Sequence, residues 1–301
     1  MKKNNIINSF KNLGIIDFGQ VLEIGKCVDT FNEIKNSRNW STELFRSQED
    51  VKLNPQFKKV NPGRGVSNFA EKLNLNYIEE NRVIKDTLNQ ILGNDYEIIL
   101  KKFVVGVPDS WLPDWLKPII SKNLTANLGE YIKKEYRDVT YFRGIDFHMD
   151  LIDHPGQIGD YVTLYVYLDN VNEKMSPLHV VEKSHIFGAT KFPHEIKIED
   201  KNNIKYGNNS KNLQSFKKRI LTGNTGSVYI WSSMTLHGTI PVGGDLPRFS
   251  LRYTIKKNSK NKQPFLIDKL LNGVKGYKKL NTMRDDLNNS FEQVKFNKTL
   301  K

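Results

Sequence analysis

The stretch Tyr161–Leu168, YVTLYVYL, alternates aliphatic and hydroxyl-bearing side chains with a period of two residues. That period is typical of a β-strand, in which successive side chains point to opposite faces of a sheet. The two sets are Val162, Leu164, Val166 and Leu168 on one face and Tyr161, Thr163, Tyr165 and Tyr167 on the other. We therefore expect a strand with an apolar face and a hydroxyl face, the latter suited to lining a polar pocket.

Similar short runs rich in Val, Ile, Thr, Tyr and Phe lie on both sides of this stretch, separated by clusters of Gly, Asp, Asn and Pro. They are DVTYFRGIDFHMD (138–150), PLHVVEKSH (177–185), GSVYIWSSM (226–234) and RFSLRYTI (248–255). Such a series predicts several antiparallel strands in a sandwich or barrel.

The first third of the chain has the helical period instead. Val21, Ile24, Val28 and Phe31 recur at spacings of three and four, which predicts an amphipathic helix with these residues toward the core. A second helix is predicted in YIEENRVIKDTLNQILGN, ending at Gly93. Helices first and strands later, without βα alternation, indicate a mainly β fold with flanking helices.

We expect one domain over 1–301, with three parts. Residues 1–138 are predicted to be a mostly helical support, 139–256 the β core with the functional site, and 257–301 a basic C-terminal segment. Within the core, the polar stretch 192–219, rich in Asn and Lys, predicts a long loop, which in a compact domain is usually a functional lid or a mobile segment.

The net charge of +13 is concentrated near the C-terminus, where residues 251–301 carry 13 Lys and Arg against four Asp and Glu. A solvated tail explains this, and so does a basic rim that attracts an anionic substrate. Nucleic-acid binding is the third interpretation, but no finger-like or RNP-like motif supports it.

The single cysteine, Cys27, fits a reducing compartment. With no apolar run long enough for a secretory signal or a transmembrane segment, we expect a cytoplasmic protein.

Four positions carry the chemistry. His148 and Asp150 are two residues apart, so on a strand both would point to one face, and His237 follows the later run GSVYIWSSM. Two His and one carboxylate form the facial triad of non-haem Fe(II) oxygenases, which leaves positions open for a cosubstrate and O₂. Arg248 begins a strand-like run, and its fork suits a carboxylate such as that of 2-oxoglutarate. Arg252, which shares the strand face of Arg248 and Ser250, competes for that role.

These segments resemble the phytanoyl-CoA dioxygenase family of Fe(II)/2-oxoglutarate oxygenases over about half of the chain, from FHMD to RYTI. The His-x-Asp segment matches His148 and Asp150, and a distal His followed after ten residues by the cosubstrate Arg matches His237 and Arg248. The family's Trp-containing strand matches TLYVYLD, with Tyr165 at the aromatic position, and its Pro-Gly-Ser-His segment matches SPLHVVEKSH. The sequence departs from the family at Met175-Ser176 (Asn-Gly), at Glu182-Lys183 (Pro-Gly) and at Met149 (commonly Gln).

The resemblance implies a double-stranded β-helix core of the jelly-roll, cupin-like type. It also implies Fe(II) on His148, Asp150 and His237, and 2-oxoglutarate held by Arg248, with Ser250 and Tyr165 nearby. Related halogenases have a small residue in place of the carboxylate, so Asp150 implies hydroxylation of a small organic substrate with release of succinate and CO₂. Arg143 and Tyr141, just upstream of His148, are candidate substrate contacts.

Two other functions remain open at this point. One is a cupin-like metalloenzyme that does not use 2-oxoglutarate and needs no arginine at position 248. The other is a non-catalytic basic binding protein.

Overall fold

Two seven-stranded sheets, largely antiparallel, make up the core of the chain. The computed structural model describes residues 3–54, 68–120, 126–153, 159–188, 190, 192, 194–207, 212–273 and 298–299. The first sheet has the strand order β1-β11-β6-β13-β2-β4-β3, and the second has the order β14-β8-β9-β10-β7-β12-β5. The strands are β1 Ile15–Gln20, β2 Glu97–Gly106, β3 Ala126–Asn127, β4 Thr140–Arg143, β5 Ile145–His148, β6 Tyr161–Tyr167, β7 Leu178–Val181, β8 Glu195–Ile198, β9 Asn203–Tyr206, β10 Gln214–Leu221, β11 Ser227–Ser232, β12 His237–Thr239, β13 Arg248–Lys256 and β14 Lys298–Thr299. The helices are α1 Lys3–Leu13, α2 Ile24–Asn36, α3 Gln48–Leu53, α4 Asn76–Glu79, α5 Arg82–Leu92, α6 Lys117–Ile120 and α7 Leu266–Gly273.

The chain winds back and forth between the two sheets. The strands β5, β7 and β12 lie in the second sheet, whereas β6, β11 and β13, which follow them in turn, lie in the first. Within the sheets, β6 lies between β11 and β13, and β12 lies between β7 and β5. This winding is that of a jelly roll, so the predicted fold class, mainly β with flanking helices, is confirmed.

Strand β6 has the two faces that its alternation predicted. Tyr165 and Tyr167 pack with Trp231 and with Leu178 and Val180 of the second sheet, between the two sheets. Val162, Leu164 and Val166 belong to a different buried cluster, which also contains Ile84 and Leu88 of helix α5. Tyr161, at the start of the strand, belongs to that cluster as well. The hydroxyl face therefore lines the interior of the jelly roll, where the candidate site lies.

Helix α2 buries only part of the face that was predicted, since Val21 and Phe31 pack against the core but Ile24 and Val28 do not. Ile24 and Val28 are 53% and 40% exposed, whereas Cys27, Thr30 and Ile34 are buried. Both faces carry apolar residues, and the orientation was decided by where the first sheet lies. The stretch predicted as the second helix is helical but forms two helices, α4 and α5, which are separated at Glu80 and Asn81. Helix α5 buries Ile84, Leu88 and Ile91, and Gly93, with a φ of +96°, follows its last residue.

The N-terminal part contributes strands as well as helices. Strands β1, β2 and β3 all belong to the first sheet, and β2 pairs with β13 over nearly its whole length. The sequence of β2, EIILKKFVVG, has no clean alternation: residues 97–102 are exposed or partly buried, whereas 103–105 are buried without a break. Without alternation, β2 could not be recognised as a strand from the sequence, and the region was predicted as mostly helical.

The prediction of a long loop over 192–219 is wrong for most of that stretch. It contains β8, β9 and the larger part of β10, which extend the second sheet at one edge. Buried Ile196, Ile204, Tyr206 and Phe216 alternate with polar residues along these strands. Lys197, Asn203, Lys205 and Lys217 lie between these buried residues and are at least partly exposed, and such charges also discourage pairing with other chains.

The basic C-terminal segment lies largely outside the described residues, since positions 274–297 and 300–301 are among those not described. Where the chain is described, none of its helices has the length and apolar character required to cross a membrane.

Candidate active site

Two histidines face each other across strands β5 and β12. His148 is the last residue of β5 and His237 the first of β12, and the two are paired in register with ring centroids 4.4 Å apart. His148 Nδ1 lies 2.8 Å from the Asp146 carbonyl oxygen, and His237 Nδ1 lies 2.9 Å from that of Thr235. Because a carbonyl oxygen only accepts, each Nδ1 carries the proton and donates it. Each Nε2 is thereby left with its lone pair, which is the form a metal ligand needs.

Asp150 completes the group, although not in the way its spacing predicted. The expectation that it shares a strand with His148 is wrong, because β5 ends at His148 and Asp150 begins a short 3-10 turn. The turn still directs the carboxylate toward the histidines. The ligand atoms of His148, Asp150 and His237 all lie within 4.8 Å of one another.

The Asp150 carboxylate is fully buried and held on both oxygens. Its Oδ2 accepts hydrogen bonds from Thr163 Oγ1 at 2.5 Å and Trp231 Nε1 at 3.2 Å. Its Oδ1 contacts Arg252 Nη2 and lies 3.5 Å from His237 Nε2. Burial alone would raise the pKa of Asp150, but the positive charge of Arg252 lowers it well below its usual range.

These three residues fit a divalent transition metal. They offer two imidazole nitrogens and one ionised carboxylate from one side, the donor set of the facial triad. Both histidines have their outer nitrogens oriented by carbonyl groups, and the carboxylate by a threonine and a tryptophan. Such outer contacts orient ligands in metal sites.

Arg248 lies on the same face of β13 as Arg252, and only part of its guanidinium has hydrogen-bond partners among the described residues. It is 0% exposed; its Nη1 donates to the Ser176 carbonyl oxygen and lies 3.5 Å from Thr239 Oγ1. Its Nε and Nη2 are buried with no hydrogen-bond partner among the described residues. A buried guanidinium with unused donors is costly unless an anion joins it. The geometry therefore fits a carboxylate at Arg248.

The hydroxyl groups next to Arg248 are already engaged with each other. Tyr165 Oη and Ser250 Oγ are 2.7 Å apart, and Ser250 Oγ donates to the Val104 carbonyl oxygen at 3.2 Å. Since the serine hydrogen is used on Val104, the tyrosine donates to the serine. Ser250 and Tyr165 therefore line the interior between Arg248 and the histidine–aspartate group.

The two candidate substrate contacts lie in different places. The prediction for Tyr141 is wrong, because this residue is paired with Val105 on the helical side of the first sheet. Its hydroxyl there accepts a hydrogen bond from Arg38 at 3.2 Å. Arg143 ends β4, forms an ion pair with Asp109 at 2.8 Å and borders a small cavity beside Ser176 and Thr239. It stays a candidate contact.

Three functional contacts were not assigned from the sequence. Thr163, Trp231 and Arg252 all reach the Asp150 carboxylate. The alternation of side chains along a strand was the one signal in the sequence. It places Thr163 on the hydroxyl face of β6 and Arg252 on the same face of its strand as Arg248. Parity cannot say which carboxylate such residues meet, because Asp150 comes from the other sheet.

Two departures from the family pattern have an unusual backbone. Among the described residues, Ser176 and Lys183 are the only non-glycine residues with positive φ, at 48° and 66°. They stand where the resembled family has the glycines of Asn-Gly and Pro-Gly. The left-handed conformation that favours glycine is thus present at both positions without the glycine.

The comparisons with known proteins gave matches only among solved structures. No family model matches the chain, and no curated protein does. The non-heme alpha ketoglutarate dependent epimerase SnoN from nogalamycin biosynthesis is 12% identical with a TM-score of 0.47, over 84% of this chain and 82% of that chain. EvdO2 from Micromonospora carbonacea var. aurantiaca is 10% identical with a TM-score of 0.49, over 89% and 96%. AviO1 from Streptomyces viridochromogenes Tue57 is 11% identical with a TM-score of 0.46, over 87% and 98%.

Membership of the phytanoyl-CoA dioxygenase family is not confirmed by these matches. At such identities and TM-scores, the matches say nothing about the activity of this chain.

Proposed function

We propose that this protein is an Fe(II)/2-oxoglutarate-dependent oxygenase that hydroxylates a small organic substrate. The observation that carries the proposal is the pairing of two features in one interior. A His148–Asp150–His237 group with metal-ligand geometry lies in the same jelly-roll interior as Arg248, whose buried donors are unused. Ser176 and Lys183 have the left-handed backbone expected where the resembled family has glycine. This supports the alignment of the sequence with that family, from which Arg248 follows as the cosubstrate arginine.

The roles follow from the contacts. His148, Asp150 and His237 would hold Fe(II), and Arg248 would bind the distal carboxylate of 2-oxoglutarate, with Ser250 and Tyr165 beside it. When bound, these groups supply the oxidation: O₂ is consumed, 2-oxoglutarate leaves as succinate and CO₂, and a substrate C–H is hydroxylated. The contribution of the chain is to orient the ligands and exclude water, since Asp150, Arg248 and Ser250 are all 0% exposed.

Arg248→Met tests the cosubstrate assignment directly. The variant removes the charge and both unused donors while keeping an unbranched side chain. We expect the affinity of the Mn(II)-loaded protein for 2-oxoglutarate to fall by about 100-fold, as for loss of a bidentate, charge-assisted contact. Isothermal titration calorimetry measures it, and substrate-dependent succinate formation by the Fe(II) protein is the companion assay.

Arg219→Met is the matched control. Arg219 is partly exposed and pairs with Glu182 and Asp17, neither of which belongs to the histidine–aspartate group, so its loss should leave 2-oxoglutarate affinity unchanged. If Arg248→Met binds the cosubstrate as well as the native protein does while remaining folded, the 2-oxoglutarate assignment is wrong. Thermal unfolding and the milder Arg248→Lys variant separate a lost contact from a lost fold.

The two alternatives have less support. A cupin-like metalloenzyme without 2-oxoglutarate would leave the buried, unused donors of Arg248 without a purpose. A non-catalytic basic protein would depend on the C-terminal segment, and its signature is salt-dependent nucleic-acid binding that survives His148→Ala. The charge of +13 is equally compatible with an anionic substrate.

A further inference from the structure

Arg252 reaches the candidate metal ligands from the first sheet. It lies on β13 four residues after Arg248, and its Nη2 contacts Asp150 Oδ1. Its Nε is buried and has no hydrogen-bond partner among the described residues. The guanidinium is therefore held at Asp150 through Nη2, while 15% of the side chain is exposed, which leaves it a way toward solvent.

The two oxygens of Asp150 have different surroundings. Oδ2 accepts hydrogen bonds from Thr163 and Trp231, which use both of its in-plane lone pairs. Oδ1 lies 3.5 Å from His237 Nε2, so it is the oxygen that faces a histidine ligand atom. A metal ion held by the histidines would therefore bind Asp150 through Oδ1.

The contact of Arg252 with Oδ1 conflicts with a metal ion on the same oxygen. Asp150 is fully buried, and a guanidinium and a divalent cation that share one buried oxygen repel each other strongly. Thr163 and Trp231 are neutral and bind the other oxygen, so they can stay in place when a metal binds. The contacts of Asp150 thus differ in kind, because two orient the ligand and one occupies the oxygen that the metal needs.

We infer that Arg252 competes with the metal ion for Asp150 Oδ1, so that metal binding requires the guanidinium to leave the carboxylate. Arg252 is thus a positioning residue that acts through Asp150. A buried carboxylate needs a cation beside it, and this exchange supplies one throughout, first the guanidinium and then the metal. The inference rests on the proposed function, because it requires a metal at His148, Asp150 and His237.

Arg252→Met tests the competition through the sign of its effect on metal affinity. The variant frees Oδ1 from its competitor, so we expect Mn(II) to bind roughly 10- to 100-fold more tightly, as for release of one hydrogen bond between charged groups. Isothermal titration calorimetry with Mn(II) measures the change. If Arg252 merely oriented or supported Asp150, its loss would weaken Mn(II) binding instead.

Lys257→Met is the matched control for the loss of one buried ion pair. Lys257 directly follows β13 and is about as buried as Arg252, but it pairs with Asp268 at 2.6 Å and donates to the Gln263 carbonyl oxygen. Its loss removes a positive charge without touching Asp150. We expect the Mn(II) affinity of this variant to equal that of the native protein.

Thermal unfolding gives a second readout of the same exchange. With EDTA, Arg252→Met should unfold at a lower temperature than the native protein, because Asp150 has lost its cation. At one fixed Mn(II) concentration, the rise in unfolding temperature should be larger in the variant, because tighter binding stabilises more by mass action. Should Arg252→Met fail to fold, Arg252→Gln, which keeps a neutral donor, is folded with Mn(II) present and measured in its place, with the same sign expected.

The inference is overturned if the folded variant binds Mn(II) as the native protein does, or more weakly. That result leaves the proposed function intact, provided that the native protein binds Mn(II) and His237→Ala does not. Lack of such His237-dependent binding in the native protein would contradict the proposed function itself.

Discussion

At the scale of single residues, Asp150 depends on its neighbours more than any other member of the site. It comes from a turn rather than a strand, so its orientation is set by contacts with the opposite sheet. Thr163 and Trp231 hold one oxygen, and Arg252 contacts the other. A charge buried this completely is stable only because each of these partners is present.

Thr163→Val should weaken metal binding while keeping the fold. The change removes the hydroxyl on Asp150 Oδ2 with little change in shape, leaving Trp231 as the only donor to that oxygen among the described residues. Outer contacts of this kind are worth roughly 10- to 100-fold in metal affinity. We expect a loss in that range for Mn(II), measured by calorimetry.

The matched control for this variant is Thr254→Val. Thr254 lies directly opposite Thr163 in the sheet and is equally buried, but its hydroxyl has no hydrogen-bond partner among the described residues. It should bind Mn(II) like the native protein. Equal losses in both variants would mean that the threonine hydroxyl does not orient Asp150.

At the scale of elements, the turn after β7 has a lysine, Lys183, at a position whose backbone conformation favours glycine. Lys183 is exposed, has a φ of +66° and donates its backbone N–H to the Leu13 carbonyl oxygen at 2.8 Å. A non-glycine residue in the left-handed region costs on the order of 1 kcal/mol. The element is held in this conformation by its surroundings, not by its own sequence.

Lys183→Gly should therefore stabilise the protein, although glycine is usually destabilising. We expect a gain of up to about 1 kcal/mol in the free energy of unfolding, measured by urea denaturation. Lys197→Gly, within strand β8 and without a positive φ, is the contrasting variant and should lose stability. Destabilisation by both changes would contradict the strain at Lys183.

The 3-10 turn that follows Lys183 also makes the attachment of α1 sensitive to pH. His185 is buried there, and its Nε2 lies 3.2 Å from the Lys11 carbonyl oxygen. Burial lowers the pKa of His185 below its usual value of 6.5, although the contact with Lys11 opposes the shift. The unfolded chain thus binds the proton more readily, and stability present above pH 6.5 is lost as pH falls toward the folded pKa.

His185→Gln should remove this part of the pH dependence. Glutamine can still donate to the Lys11 carbonyl oxygen but does not titrate. The difference in urea midpoint between the native protein and the variant should shrink, or change sign, from pH 7.5 to pH 5.5. An identical acid-induced loss in both proteins would show that His185 does not contribute, since the other histidines affect the two equally.

At the scale of the whole molecule, the candidate metal site joins the two sheets. His148 and His237 belong to strands of the second sheet, whereas Asp150 is bound by residues of the first. A metal ion held by all three would connect the two halves of the jelly roll. Ligands that bind only the folded state stabilise it by mass action.

Mn(II) should accordingly raise the unfolding temperature. At a concentration of about 100 times its dissociation constant, the expected stabilisation is about 2.7 kcal/mol, or several degrees for a chain of this size. Differential scanning fluorimetry with Mn(II) and then with excess EDTA measures a reversible shift. In His237→Ala the shift should be largely lost; a full shift in that variant would place the bound ion elsewhere.

The local pattern of the sequence was enough to predict the class of fold and to select the residues of the candidate site. The alternation in YVTLYVYL set the inner and outer faces of β6, and His148, Asp150, His237 and Arg248 could be chosen from spacing and family resemblance. Such features depend on the period of a strand and on residue chemistry, which are properties of a short stretch of chain.

The tertiary structure alone decided what depends on the meeting of distant segments. It determined which face of α2 is buried, that much of 192–219 forms strands of the second sheet, and that Tyr141 points away from the site. It also placed Arg252 on Asp150 rather than beside Arg248, because the carboxylate arrives from the opposite sheet. The winding of the whole chain sets which side chains meet across the two sheets. It also sets which buried hydrogen-bond donors, such as those of Arg248, stay unused. No local pattern encodes this winding.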